Sequence, residues 1–225
     1  MGNLGPKLLE ELQCENVFTI GGMGISESVV VTWIIMAVFL LAAILLTRNL
    51  KVENPGRGQL MLEYIVTWLQ GIGEGIIGEE EKGYASYLTS ILIYLGVANL
   101  IGMLGFKPPT KDLNVTAGLA LMSIFLIEYA GIHKKGFRGW LKSFTQPIAI
   151  VTPINILEVF VKPLSLCMRL FGNVLGAFVI MKLIECILPV GLPVIFSAYF
   201  DVFDGLIQAY VFVFLTGLFI KEAIE

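Results

Sequence analysis

Long apolar runs separated by short polar ones organise the chain. No charged residue falls between Glu27 and Arg48, between Lys82 and Lys107, or between Asp204 and Lys221. A helix needs about 20 predominantly apolar residues to cross a bilayer, and Ser28–Leu46, Ala85–Leu104 and Val115–Ile132 are runs of that order. Two longer helical stretches follow, over 148–188 and 192–220, with a hairpin between them at Pro189-Val-Gly191-Leu-Pro193. Asn54-Pro55-Gly56 and Lys107-Pro108-Pro109 mark further turns.

A sixth apolar segment, about Leu60–Ile77, is interrupted by Glu63, Gln70, Gly71, Gly73, Glu74 and Gly75. Cytoplasmic loops collect Lys and Arg, and that rule decides whether this segment crosses. If it stays on one side, the inner loops hold Arg48, Lys51, Arg57, Lys82, Lys134, Lys135, Arg138, Lys142 and Lys221, against Lys7, Lys107 and Lys111 outside. If it crosses, every later loop changes side, and only Arg48, Lys51, Arg57, Lys107 and Lys111 remain inside. The first arrangement is the one the rule favours. Residues 57–78 are then an interfacial amphipathic helix with Trp68 as an anchor, the N-terminus is outside and the C-terminus cytoplasmic. The expected fold is an all-α polytopic membrane protein, with about five membrane-embedded helices and one interfacial helix.

Composition agrees: of 225 residues 56% are hydrophobic and 15% charged, with mean hydropathy +0.84, whereas soluble domains average about 25% charged. A net charge of −3 offers no basic footprint for nucleic acid, and disorder and a disulfide scaffold are excluded as well. Cys14, Cys167 and Cys186 form no C-x-x-C pair and read as small apolar residues. The single histidine, His133, stands in a polar loop, Gly131-Ile-His-Lys-Lys-Gly136, and cannot build a metal site alone. There is no G-x-x-x-x-G-K-[ST] phosphate loop. Residues 1–27 lack the basic-then-apolar order of a cleavable signal. Neither a metal nor a cofactor is expected.

Polar groups surviving inside apolar helices are where function should lie, because each costs free energy there. In 148–188, Glu158, Lys162, Ser165, Arg169, Asn173 and Gly176 recur every three or four residues, which on one helix makes a single stripe. Arg169 is the deepest charge in it. Glu158 is eleven residues back, so the partner of Arg169 comes from another helix, another chain or water; an intramembrane arginine without a local partner is a functional candidate by default, with a structural arginine that fixes helix packing as the alternative. Gly172-x-x-x-Gly176 permits close helix approach, and Pro163 favours a kink. The last helix carries a second stripe, Ser197, Asp201, Asp204 and Gln208, with Thr216 further on. Two carboxylates there suit a proton or cation pathway, or a satisfied structural network. Glu128 and Glu185 sit near helix ends, where a carboxylate snorkels to the interface.

Arg169-Leu-Phe-Gly-Asn173, preceded by Lys162-Pro-Leu-Ser-Leu166, resembles the hallmark of subunit a of F-type ATP synthases, in its bacterial and chloroplast form. Pro153-Ile-Asn-Ile-Leu-Glu158, Ile207-Gln-Ala-Tyr-Val-Phe212, Lys107-Pro-Pro-Thr-Lys-Asp-Leu-Asn-Val115 and the Gly131–Gly136 loop extend the resemblance over roughly residues 55–222. It implies a non-catalytic stator whose last two helices lie long and tilted against a rotating ring of c subunits. Arg169 then faces the ring's ion-carrying carboxylates, between two offset half-channels for H+ or Na+. Gln208 matches the family's glutamine near the arginine, Asp201 an ionisable position of the outer half-channel, and Asn173 the motif's asparagine. Implied partners are the c ring, b-type peripheral-stalk subunits, the rest of the synthase and the lipid bilayer. The implied location is the bacterial plasma membrane, with the thylakoid membrane as the alternative. One departure is present: many members carry an acid one to three turns after the arginine, where this chain has Gly176, Ala177 and Phe178, and its next acid is Glu185. A cation-coupled secondary transporter would instead predict an internal repeat, and a flagellar-type stator or simple channel a large cytoplasmic domain or a symmetric pore helix. None of these is evident.

Overall fold

The structure is a computed structural model that describes residues 16–20, 23–48, 50–51, 55–78, 82–104, 108–145, 149–187, 196 and 198–224. Two short strands open it: β1 (Asn16–Ile20) pairs antiparallel with β2 (Met23–Ser26). This hairpin is not foreseen from the hydropathy pattern. Six α-helices follow among the described residues: α1 (Glu27–Thr47), α2 (Arg57–Ile77), α3 (Lys82–Leu100), α4 (Leu113–Ser143), α5 (Thr152–Ile187) and α6 (Gly205–Ile224). Short 3₁₀ turns extend α3 over Ile101–Leu104 and precede α4 at Pro109–Lys111. Among the described residues, four helical stretches are long and apolar enough to cross a membrane: Glu27–Thr47, Leu113–Ser143, Thr152–Ile184 and Val202–Ile224. The chain is an all-α membrane protein.

α6 is the central helix. It packs on α2, α3 and α4, and more lightly on α5, which lies mainly along α4. The core is apolar and shared: Leu88, Leu95, Ile124, Ile127, Leu166, Leu170, Phe212, Val213 and Ile220 are all buried in it. Close approach of α2 and α6 depends on a missing side chain. A methyl group at Gly217 would overlap Ile76 Cγ2 and come within 2.9 Å of Leu88 Cδ1. At Gly73 it would lie 2.8 Å from the Ala85 carbonyl oxygen. So α2 is buried only over its last turns, while Trp68 is exposed. α1 is the least embraced helix, with a long exposed apolar surface from Trp33 to Leu46.

Two local features differ from the sequence expectation. The polar loop expected at Gly131–Gly136 is helical, and the chain breaks direction only at Gly136, where φ is 71°. That left-handed conformation is one a glycine adopts without steric penalty. The last helix, expected as one rod over 192–220, contains a π-helical segment at Ala198–Asp204 before α6 begins at Gly205. A π-turn pairs i with i+5 and so takes about one residue more than an α-turn. One residue is about 100° of rotation in an α-helix, so positions 201 and 204 do not share one continuous α-helical face with Gln208.

Candidate functional site

The α5 stripe divides into three parts. At one end Lys162 Nζ sits 3.1 Å from Glu222 Oε2 and 3.5 Å from Glu158 Oε2, also facing the Phe219 ring. Glu158 is one turn away on the same helix; Glu222 is in the last turn of α6, beyond the 220 boundary read from sequence. In the middle, Ser165 and Arg169 are exposed, because Leu166, Cys167 and Leu170 turn the other face of α5 into the core. Among the described residues Arg169 has no ion pair or hydrogen bond. One turn further, Asn173 Nδ2 donates to Gln208 Oε1 across to α6, at 2.6 Å. Gln208 is 4% exposed, and its Nε2 has no partner. Two motifs 35 residues apart therefore meet one turn from the unpaired guanidinium.

A family model described as ATP synthase A chain matches residues 29–221. The chain belongs to the ATP synthase A chain family. It is similar to proteins named ATP synthase subunit a 2 from Bradyrhizobium sp., 37% identical over 92% of this chain and 93% of the relative, and from Acaryochloris marina, 32% identical over 90% and 87%. An ATP synthase subunit a from Moorella thermoacetica is 38% identical over 93% of this chain and 95% of its own.

Within this member of the ATP synthase A chain family, the other expected site residues are distributed as follows. Asp204 is half-buried at the end of the π segment. Asp201 lies within that segment and Glu185 near the end of α5, but their side chains, and all of Ser197, lie outside the described residues. Thr216 is buried and bonds back to the Phe212 carbonyl of its own helix at 2.9 Å, a local satisfaction common for helical threonines. Glu128 does not simply snorkel: it accepts from Trp140 Nε1 at 2.7 Å, tying the two halves of α4 across the Gly136 break. Asn155, from the motif upstream of Glu158, donates to the Phe144 carbonyl at 2.9 Å and fixes the start of α5 to the end of α4. Cys167 is buried, as a small apolar residue should be, with Thr116 Oγ1 3.6 Å from its sulfur.

A second polar cluster escaped the sequence reading. Lys111 and Asp112 are 6% and 3% exposed, although both lie in what reads as an outer loop. Asp112 Oδ2 accepts from Ser26 Oγ at 2.7 Å and Oδ1 from the Asn114 amide at 2.9 Å, capping α4. The Lys111 ammonium stands 3.5 Å from the centroid of the Phe178 ring, and Lys182 flanks the same ring at 5.8 Å. The Phe178 ring face thus meets both cations. Beside this, Thr110 Oγ1 donates to Asn99 Oδ1 at 2.9 Å, and Asn99 Nδ2 to the Gly205 carbonyl at 2.8 Å. The available signal was Asn99 itself, a lone amide in the charge-free run from Lys82 to Lys107.

Proposed function

We propose that the chain is the ion-translocating stator of an F-type ATP synthase, with Arg169 as the group that faces the carboxylates of a rotating c ring. The observation that carries this is the open arginine. A guanidinium on a membrane-embedded helix, with no acidic partner among the described residues, is costly unless another molecule completes it. The Asn173–Gln208 bond fastens α5 to α6 at that level and holds the arginine's backbone in place while its head stays free. A carboxylate carried past Arg169 is drawn to its ionised form and releases its ion. A fixed positive charge also blocks direct leakage between the two half-channels. One elementary charge crossing 100 mV carries about 2.3 kcal/mol, so several transfers are summed for each ATP made elsewhere in the complex.

Asp201, Asp204 and Gln208 line the outer half-channel in this reading. Glu158, Lys162 and Ser165 stand on the cytoplasmic side of Arg169, where Lys162 also joins α5 to the last turn of α6. Glu185 and Glu128 are secondary. The five spans are 28–46, 85–104, 115–132 and the hairpin of 148–188 with 192–220, with 57–78 on the cytoplasmic face. The N-terminus is outside a bacterial plasma membrane and the C-terminus in the cytoplasm. b-type stalk subunits and the soluble, nucleotide-binding part complete the machine. The chain itself makes no covalent step.

The test uses the whole synthase in proteoliposomes. Arg169→Ala is expected to bring ion-driven ATP synthesis to background while the soluble part still hydrolyses ATP. Retained synthesis would overturn the reading. Imposing a sodium gradient or a proton gradient separately identifies the ion.

A further inference from the structure

The π segment raises a question of register that the hydrogen bonds of Asn99 answer. A switch from i+5 to i+4 pairing skips one carbonyl, and nothing within a helix dictates where the switch sits. The π-turn acts as one inserted residue, so a position it slides past turns by about 100° relative to the helix beyond. Asp201 and Asp204 lie in the π segment, and Gln208 follows it in α6. A sliding switch would therefore change how the carboxylates are presented relative to Gln208 and Asn173.

The junction is held from outside the helix. Gly205 is the first α-helical residue, and its carbonyl accepts from Asn99 Nδ2 at 2.8 Å. A Cβ on Gly205 would lie 3.0 Å from Asn99 Cβ, so a side chain there would push Asn99 back by a few tenths of an ångström. Asn99 is oriented in turn by Thr110, 0% exposed, which donates to Asn99 Oδ1 at 2.9 Å. Thr110 sits in the buried turn Pro109–Lys111, and the next residue, Asp112, is anchored to Ser26. Each link is buried, so water does not compete for it.

We propose that Asn99, aimed by Thr110, is a positioning residue that pins the π-to-α switch at Gly205 and so sets the angle at which Asp204 and position 201 meet the Gln208–Asn173 seam. This rests on the reading of that seam as the ion pathway. Asn99 does not touch the ion; it acts through Gly205.

The reconstituted synthase tests this. ATP synthesis is measured against external pH at fixed sodium and against external sodium at fixed pH, together with the amount of chain assembled. For Asn99→Ala, the half-saturating external ion concentration is expected to move about fivefold, the effect of one buried hydrogen bond of roughly 1 kcal/mol, with the dependence on internal ion unchanged. Thr110→Val is expected to move it in the same direction by less, and Thr110→Ser, which keeps the hydroxyl, to restore the wild-type curve. Should Asn99→Ala fail to assemble, the Thr110 pair decides alone. Curves that superimpose on wild type, or a fall in maximal rate or assembly with the midpoint unmoved, overturn the clamp. Arg169→Ala in the same assay separates the two levels. If it retains synthesis, the reading of the site fails; if it loses synthesis while the Asn99 and Thr110 variants match wild type, only the clamp fails.

Discussion

Two polar regions of the chain are built on opposite terms. In the cluster around Asn99, Thr110, Asp112 and Ser26, the buried side chains are held by named partners at 2.7–2.9 Å. Along the outer face of α5, Ser165 and Arg169 stand exposed, and the guanidinium has no partner among the described residues. Leaving a buried polar group unpaired costs about 1–3 kcal/mol, more for a charge. On the reading proposed above, the first region is scaffold and the second a surface finished by something else.

The largest break between them should come from Arg169→Leu. It is expected to abolish ion-driven synthesis yet leave the thermal midpoint of the purified complex unchanged or higher, since it removes an uncompensated charge from a membrane face. Asp112→Ala should do the reverse. It removes two hydrogen bonds to a carboxylate and uncaps α4, and about 2–3 kcal/mol of stability is expected to go, read as loss of assembled chain on thermal challenge. Gly217→Val sharpens the scaffold side from another direction: its side chain would meet Ile76 and Leu88, an overpacking costing about 1–3 kcal/mol, visible as early unfolding in detergent.

Where the two regions touch the seam the effects should be smaller. A double-mutant cycle with Asn173→Leu and Gln208→Leu is expected to return a coupling of about 0.5–1.5 kcal/mol in thermal stability; additive effects would mean that the 2.6 Å bond contributes nothing. Smallest of all is Lys162→Gln. Its partners Glu158 and Glu222 are about half exposed, and such pairs contribute about 0–1 kcal/mol, so the change should vanish as salt rises.

How far each region is legible from sequence follows the same division. Apolar runs fold as helices, and the stripe through Glu158, Lys162, Arg169 and Asn173 can be read directly, because helical periodicity is local. The all-α membrane class follows from the same pattern. The buried position of Lys111 cannot be read that way: it depends on Phe178, which is far away in the chain, and a lysine two residues after a Pro-Pro pair looks like a solvated turn. The π segment is equally hidden, since its place depends on Asn99 reaching Gly205 from another helix. Gly136 was visible as a glycine, but nothing nearby says that His133 and the two following lysines continue the helix up to it. Glu222 was missed because helix ends are the least certain part of any periodic pattern.

The most direct measurement is a disulfide trapping experiment on the whole synthase in a background without native cysteines. Ser165→Cys, on the open face of α5 one turn from Arg169, is paired with a cysteine on the c subunit beside its ion-carrying carboxylate; Phe125→Cys, also exposed but on α4, is the control. A cross-linked product from position 165 and none from position 125 is the expected result. Cross-linking from 125 with none from 165 would mean that the open stripe does not face the ring, and that Arg169 finds its partner elsewhere.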